Sequence, residues 1–376
     1  MIELRQIIEQ EIRERGPIPF SRYMELCQYH PSLGYYSRNA AQFGKAGDFY
    51  TSSDIHAVFG RLLARQFDEM WRALGSPESV VLRELGPGRG LFAQDVLDWS
   101  EKKFPDFFHA VRYELDEQSP ALRERIGHTL LKRLESGKAA FTEGKSENHL
   151  PAQDSPTIVF ANEFFDALPV EIVSMRGSLR IDANAGKFVE TWVPSSPEEL
   201  EFLDRYSVHP EENERVEVPL QSQEDFAAAV NFDRGIIVAI DYGFTREEQL
   251  AGRHRGTLKA IRQHSVGTNP YEAPGEQDNT ADVNFAALVA AGEQIGLNTQ
   301  KLITQAQFLL GIGEANQFAD AFEDCRLPQE RAKVGLQLKH LVTPAGMGES
   351  FHVLVGSKGI DAAKASALSG LNFGRR

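Results

Sequence analysis

Val80-Val81-Leu82-Arg83-Glu84-Leu85-Gly86-Pro87-Gly88-Arg89-Gly90-Leu91-Phe92 is the stretch that decides the fold. A β-branched and aliphatic run carries an acid near its end and enters a glycine-rich turn. Apolar residues then recur at helical spacing through Leu91, Phe92, Val96, Leu97 and Trp99. Strand, tight turn and helix form the opening unit of a doubly wound α/β domain. Glycines in such a turn reach φ > 0 and leave no Cβ between the main chain and a ligand.

The register of the glycines selects the ligand. A dinucleotide fingerprint reads Gly-x-Gly-x-x-Gly, and its third glycine would fall on Leu91. That disfavours a nicotinamide oxidoreductase. No Gly-Lys-[Ser/Thr] follows the turn, and Gly44-Lys45-Ala46 also fails as a P-loop. Glu84-x-Gly86-x-Gly88-x-Gly90 is instead the pattern of methyltransferases that use S-adenosyl-L-methionine (SAM). Their cofactor has a cationic amino group for an acid to hold, directly or through water. Glu84, Gly86, Pro87, Gly88 and Gly90 are therefore the first cofactor-binding candidates.

Composition narrows the partners. A hydrophobic fraction of 41% and a charged fraction of 25% over 376 residues describe an ordinary globular chain of one or two domains. A formal charge of −14 argues against a general affinity for nucleic acid and favours a cationic partner. Cys27 and Cys325 indicate neither a disulfide framework nor a metal cluster. No apolar run is long enough for a membrane span. Residues Met1–Arg15 mix Glu with Arg and lack a signal-peptide core, so the expected location is a reducing cytoplasm. Oligomeric state leaves no trace in the sequence.

Around the glycine turn the chain alternates helical and strand patterns. Residues 2–15 and 21–28 read as helices, the second with Ser21 as a cap, followed by turn chemistry through Tyr36. A polar loop leads to a long amphipathic helix over 55–74. Further strands are expected at 110–116, 139–143, 157–161, 235–240 and 350–357, with a helix at 285–295. Alternation at Phe188–Val193 and Arg215–Val218 marks a β-rich insertion. The expected organisation is a helical extension over 1–75 that packs on the core, an α/β core over 76–358 with the insertion at 171–230, and a flexible tail over 359–376.

Ligands collect at the carboxyl ends of the strands of such a sheet. Those ends gather Glu84, the acids after the second strand, Glu143, and Asn162-Glu163. A carboxylate after the second strand can accept from both hydroxyls of a ribose. Glu117 is preferred for this, with Glu114 and Asp116 as alternatives. Asn162 is a further cofactor candidate. The string Asn162-Glu163-Phe164-Phe165-Asp166-Ala167-Leu168-Pro169 interrupts an apolar run with acids. As structure alone, Asn162 and Asp166 would cap a turn while the two phenylalanines fill the sheet face, which leaves Glu163 without a purpose.

With these strings in hand, the chain resembles the MidA family of SAM-dependent methyltransferases, whose members include an arginine-modifying enzyme of respiratory complex I assembly. The resemblance runs through Tyr29-His30-Pro31, Gly34-Tyr35-Tyr36, Gly47-Asp48-Phe49-Tyr50-Thr51-Ser52, the glycine turn, the Asn162–Pro169 string, Asp241-Tyr242-Gly243 and Pro274–Asp278. It departs at Ser53-Asp54, where the family has Pro-Glu, at Ile261, before His264, and at Asn279, where an apolar residue is usual.

The resemblance implies a class I (Rossmann-like) seven-stranded sheet and SAM as cofactor. Gly47, Asp48, Thr51 and Ser52 then join the cofactor candidates, on a loop over 44–53 expected to close on the site. Glu163 and Asp166 become the catalytic candidates, with Asp48 as a third acid. A protein arginine is the implied acceptor, and by the same resemblance its carrier is a respiratory-complex subunit. Alternatives are a small-molecule methyltransferase and a non-catalytic SAM-binding assembly factor.

Overall fold

The computed structural model describes residues 3–37, 57–142, 155–262, 265–267 and 269–374. Seven strands form the main path of the central sheet: β1 (Val80–Leu85), β2 (Val111–Asp116), β3 (Ala139–Phe141), β4 (Thr157–Asn162), β5 (Gly235–Phe244), β6 (Asn298–Thr299) and β7 (Phe351–Lys358). Their order is 3-2-1-4-5-7-6. The first five are parallel, and β7 runs antiparallel between β5 and β6. Short pairings at Val283–Asn284 and Ile303–Thr304 extend β5 and β7. This is the expected seven-stranded, Rossmann-like architecture.

Both faces of the sheet are covered, which explains why β4 reads as an unbroken apolar run. Ile158 and Phe160 face one layer, with Ile236, Val238 and Ile240 of β5 beside them. The helices Ala57–Ala73, Leu91–Lys103 and Gln305–Glu314 close that side. Val159 and Ala161 face the other, under the helices Leu220–Ala229 and Phe285–Gln294. Phe92, two residues into its helix, stacks on Phe160 with ring centroids 4.4 Å apart. That contact fixes the glycine turn to the sheet.

The strand order reverses between β1 and β4, so their carboxyl ends splay apart and open a crevice. In register, Glu84 lies beside Leu115 and Phe160, and Leu85 beside Asp116 and Ala161. The pairing thus brings the acid of the first strand level with the ends of its two neighbours.

Three expectations need correction. The N-terminal helices Leu4–Arg15 and Phe20–Tyr29 pack on the insertion, not on the central sheet. Ile18–Pro19 pairs with Gly177–Asn184, beside Glu171–Ser174, Lys187–Val193 and Val216–Val218, in a second, five-stranded sheet. Ile8, Ile12 and Met24 bury against Ile172, Leu179 and Ile181 of that sheet. Ser21 caps no helix; it is already inside the Phe20–Tyr29 helix, and its hydroxyl donates to the Glu171 carboxylate. The segment after Gly359 is docked: Ala365 and Leu368 are buried, and the Gly370 N–H donates to Gln66 Oε1 at 2.9 Å. A Cβ on Gly370 would lie 2.5 Å from the Phe308 ring, so glycine is what permits that approach.

Candidate functional site

The turn after β1 lies at the bottom of the crevice. Gly86 has φ +62°, and its N–H donates to the Asp116 carbonyl at 3.0 Å. A Cβ there would meet the Phe164 ring at 2.9 Å, so this glycine lets the loop after β4 lean on the turn. Gly88 has φ +55°, and among the described residues nothing lies within 4 Å of where its Cβ would be. Gly90 does not line the cleft but begins the Leu91–Lys103 helix in a left-handed conformation, against Ile126 and Leu130. Glu84 is buried, and its Oε2 accepts from the Tyr113 hydroxyl of β2 at 2.7 Å. Burial pushes its carboxyl up to about 8, against the pull of the Tyr113 hydrogen bond.

Three acids at the end of β2 line the same cleft, and their surroundings differ. Glu114 is held by Arg83 at 2.8 Å and Arg112 at 3.0 Å. Asp116 accepts from the exposed Gln118 side chain at 3.0 Å. Glu117 is buried, and its Oε1 accepts from the Ser119 N–H at 2.8 Å. Burial raises its carboxyl to about 7. Arg123 ties the Glu117 carbonyl at 2.8 Å to the Thr142 carbonyl at 2.6 Å, fixing the turns after β2 and β3 together.

The loop after β4 carries the least ordinary backbone. Glu163 has φ +52°, a conformation a side chain rarely adopts. Its Oε1 accepts from Asn162 Nδ2 at 3.1 Å, and its N–H donates to the Ile240 carbonyl at 2.9 Å. Asn162 Oδ1 is buried with no partner among the described residues. What holds the turn is Asp241 at the end of β5, which is fully buried. Its Oδ2 accepts from the N–H groups of Phe164, Phe165 and Asp166 at 3.2, 3.0 and 3.3 Å. Neither Asn162 nor Asp166 does the capping expected of them.

Asp166 is also not on the cleft wall. It is buried behind the loop, accepting at Oδ2 from the Tyr242 hydroxyl and from the Thr280 hydroxyl at 2.7 Å. Burial raises its pKa. Its Oδ2 is thus engaged behind the loop that carries Glu163, and its Oδ1 is buried with no partner among the described residues. Asp241 was missed as the supporting residue. Its signal is an acid ending a strongly apolar strand, Gly235–Ile240: the Tyr242 N–H beside it satisfies only Oδ1, at 3.0 Å, and leaves Oδ2 to the loop.

Gly47, Asp48, Thr51, Ser52, Glu143 and His264, with the loop expected to close on the site, lie outside the described residues. The far wall of the cleft comes from the helices Phe20–Tyr29 and Leu220–Ala229. The cavity measures about 1410 Å³, and among the described residues nine carboxylates and four guanidinium groups line it. Arg83 and Arg112 are engaged by Glu114, and Arg22 by Glu11 and Glu25. The net field favours a cation.

Residues 62–303 match the family of S-adenosyl-L-methionine-dependent methyltransferases. The chain belongs to that family. The mitochondrial protein arginine methyltransferase NDUFAF7 homolog of Drosophila melanogaster is 30% identical to it over 96% of this chain and 86% of the relative. The mitochondrial protein arginine methyltransferase NDUFAF7 of Homo sapiens is 27% identical over 91% and 80%. A crystal structure of a superfamily member from Burkholderia thailandensis, bound to S-adenosyl-homocysteine (SAH), matches with a TM-score of 0.78 and 28% identity over 97% of this chain and 94% of that one.

SAM is thus the cofactor of this methyltransferase, and the donor set suits it. Glu84, Glu117 and the orphaned Asn162 Oδ1 are acceptors, while an ammonium and a ribose diol are donors. The expected cytoplasmic location is contradicted by these relatives, which are mitochondrial proteins by name. Two unpaired cysteines show only that the chain uses no disulfide between them, which distinguishes no reducing compartment from another. Residues 4–15 are a structural helix buried along Leu4, Ile8 and Ile12, so their mixture of Glu and Arg reflects packing and does not locate the protein.

Proposed function

We propose that this methyltransferase modifies an arginine of a protein partner, and that Glu163 holds the acceptor guanidinium. The observation that carries this reading is Glu163 itself: a carboxylate on the cleft wall, in a left-handed backbone conformation that Asp241 and Asn162 maintain. Strain kept in place by surrounding structure is a feature of functional sites. The names of the relatives support the same acceptor, and the acidic lining of the cleft suits a cationic side chain.

When bound, the cofactor supplies a methyl group on a sulfonium centre. In this reading Glu84 and the Gly86–Gly88 backbone take its amino-acid end. Glu117 accepts from the ribose, and Asn162 Oδ1 gains the donor it lacks. Glu163 accepts from two guanidinium N–H groups in a fork, which localises charge and leaves one nitrogen to face the methyl group. The protein's contribution is alignment, for which about 7–11 kcal/mol is available in favourable cases. Asp166, Tyr242 and Asp241 position the loop without touching either ligand.

Incubation of the protein with isotope-labelled SAM and a cell extract should place label on protein arginine, read by mass spectrometry. Glu163→Gln keeps the shape and removes the charge. A charge-assisted bond of about 1.5–3 kcal/mol predicts a loss of roughly 10–150-fold in turnover, with SAH affinity within a few-fold of wild type. Label found only on lysine or on a small molecule, or full turnover by the variant, refutes the reading.

A further inference from the structure

The strings Tyr29-His30-Pro31 and Gly34-Tyr35-Tyr36 have no part in the chemistry described so far. They end the Phe20–Tyr29 helix and begin the short 3-10 turn Tyr35–Ser37. The rings of Tyr29 and Tyr36 stack, with centroids 5.6 Å apart and planes inclined by 22°. Each is anchored by its polar end. The Tyr29 hydroxyl donates to the Ala167 carbonyl at 2.9 Å, and the Tyr36 hydroxyl to Asp278 Oδ1 at 3.1 Å. Gln28 Nε2 donates to the same Asp278 oxygen at 2.6 Å.

Both rings line the cleft that contains Glu84 and Glu163. Tyr29 is nonetheless 37% exposed. An aromatic held by its hydroxyl inside the protein, yet open on one side into a ligand cleft, presents a fixed face. Its surroundings are negative. Burial first, and then the carboxylates of Asp278, Asp166, Glu117 and Asp225, push the Tyr29 hydroxyl well above its ordinary pKa. Asp225 lies on the other helix of the far wall, where Gln221, Glu224, Asp225 and Ala228 share one face of the Leu220–Ala229 helix.

We propose that the open face of Tyr29 seats the acceptor guanidinium by stacking, with Asp225 supplying charge from the Leu220–Ala229 helix, so that Tyr29 sets the preference for arginine over lysine. The proposal rests on the arginine reading above. A guanidinium is planar and weakly hydrated, and it stacks on an aromatic face; an ammonium is compact and strongly hydrated. The cofactor is the other cation this cleft takes, and the two rings divide between them. The Tyr36 carbonyl accepts from the Ser119 hydroxyl at 2.8 Å, beside Glu117. The Tyr29 hydroxyl is tied to Ala167, on the loop that carries Glu163. Tyr29 therefore belongs to the acceptor half.

The test uses the full chain saturated with SAH and a fluorescein-labelled Gly-Gly-Arg-Gly-Gly peptide beside its lysine counterpart, read by anisotropy. Methylation of the unlabelled peptides is followed in parallel. Wild type should bind the arginine peptide more tightly than the lysine one. Tyr29→Leu should weaken arginine-peptide binding roughly 3–30-fold and leave lysine-peptide and SAH affinities within about twofold. Tyr29→Phe, which keeps the face, should restore arginine affinity.

Equal affinity of wild type for both peptides overturns the proposal, as does a Tyr29→Leu variant that binds arginine normally. So does a variant that loses SAH affinity instead, which would give the ring to the cofactor, or a Tyr29→Phe variant as weak as Tyr29→Leu, which would give the effect to the Ala167 hydrogen bond. If Tyr29→Leu does not fold, Asp225→Asn decides: several-fold weaker binding of both peptides supports the seat, and unchanged binding rejects it. A wild type that binds arginine through Tyr29 yet leaves it unmethylated keeps the seat and removes the proposed reaction.

Discussion

Alanine at Gly88 and at Gly86 should separate ligand binding from folding within one turn. Both residues have positive φ, +55° and +62°, so a Cβ at either position costs about 1–2 kcal/mol in the left-handed region. At Gly86 the new methyl would also lie 2.9 Å from the Phe164 ring, which adds overpacking on the order of 1–3 kcal/mol. At Gly88 it meets no atom of the described residues within 4 Å, and Gly88 lines the cleft. Gly88→Ala should therefore lose about 1–2 kcal/mol of stability in urea titrations. In calorimetry it should lose at least about tenfold in SAH affinity, roughly 1.4 kcal/mol. Gly86→Ala should be the less stable variant, by about the overpacking difference. Gly88→Ala with wild-type SAH affinity and the same stability loss would mean that glycine serves only the turn, and the proposed cofactor contact would fall.

The two buried acids of the cleft make a prediction about pH. Glu84 and Glu117 sit at about 8 and about 7 when folded, above the ordinary carboxylate range. The folded state therefore keeps protons that the unfolded chain releases. The resulting stabilisation is complete below the unfolded carboxylate pKa and is lost as pH rises through 7 and 8. Thermal midpoints of the ligand-free protein should fall across that window, with Asp166 and Asp241, also raised, acting in the same direction. SAH should release protons on binding near pH 7, measurable by calorimetry in buffers of different ionisation enthalpy; proton uptake would contradict the assignment. Asn279 is fully buried, and both its side-chain polar atoms have no partner among the described residues. Asn279→Val, in the strand Asp278–Thr280, should stabilise by about 1–2 kcal/mol, and a destabilised variant in urea would show that the amide is satisfied. Asp241→Ala strips three N–H groups of their acceptor. It should cost on the order of 2–4 kcal/mol and cut methylation more than SAH affinity; equal losses would remove its positioning role.

The sequence by itself determined the sheet and the cofactor class. β4 and β5 are buried on both faces, so their residues spell a continuous apolar run that can be read without knowing their neighbours. The glycine register is a local property of the backbone, so it disfavours a dinucleotide and points to SAM without reference to any tertiary contact. Only the tertiary structure decided which acids face the cleft. Glu163 and Asp166 are three residues apart on one loop, yet one lines the cavity and the other is sealed behind it by Tyr242 and Thr280. Asp241 clamps that loop from a strand about eighty residues away in sequence. Likewise the N-terminal helices chose the insertion over the central sheet because Ile18–Pro19 pairs with its edge. Periodicity shows that a helix has an apolar stripe; which surface meets that stripe depends on strand pairing between distant segments, and no local pattern carries it.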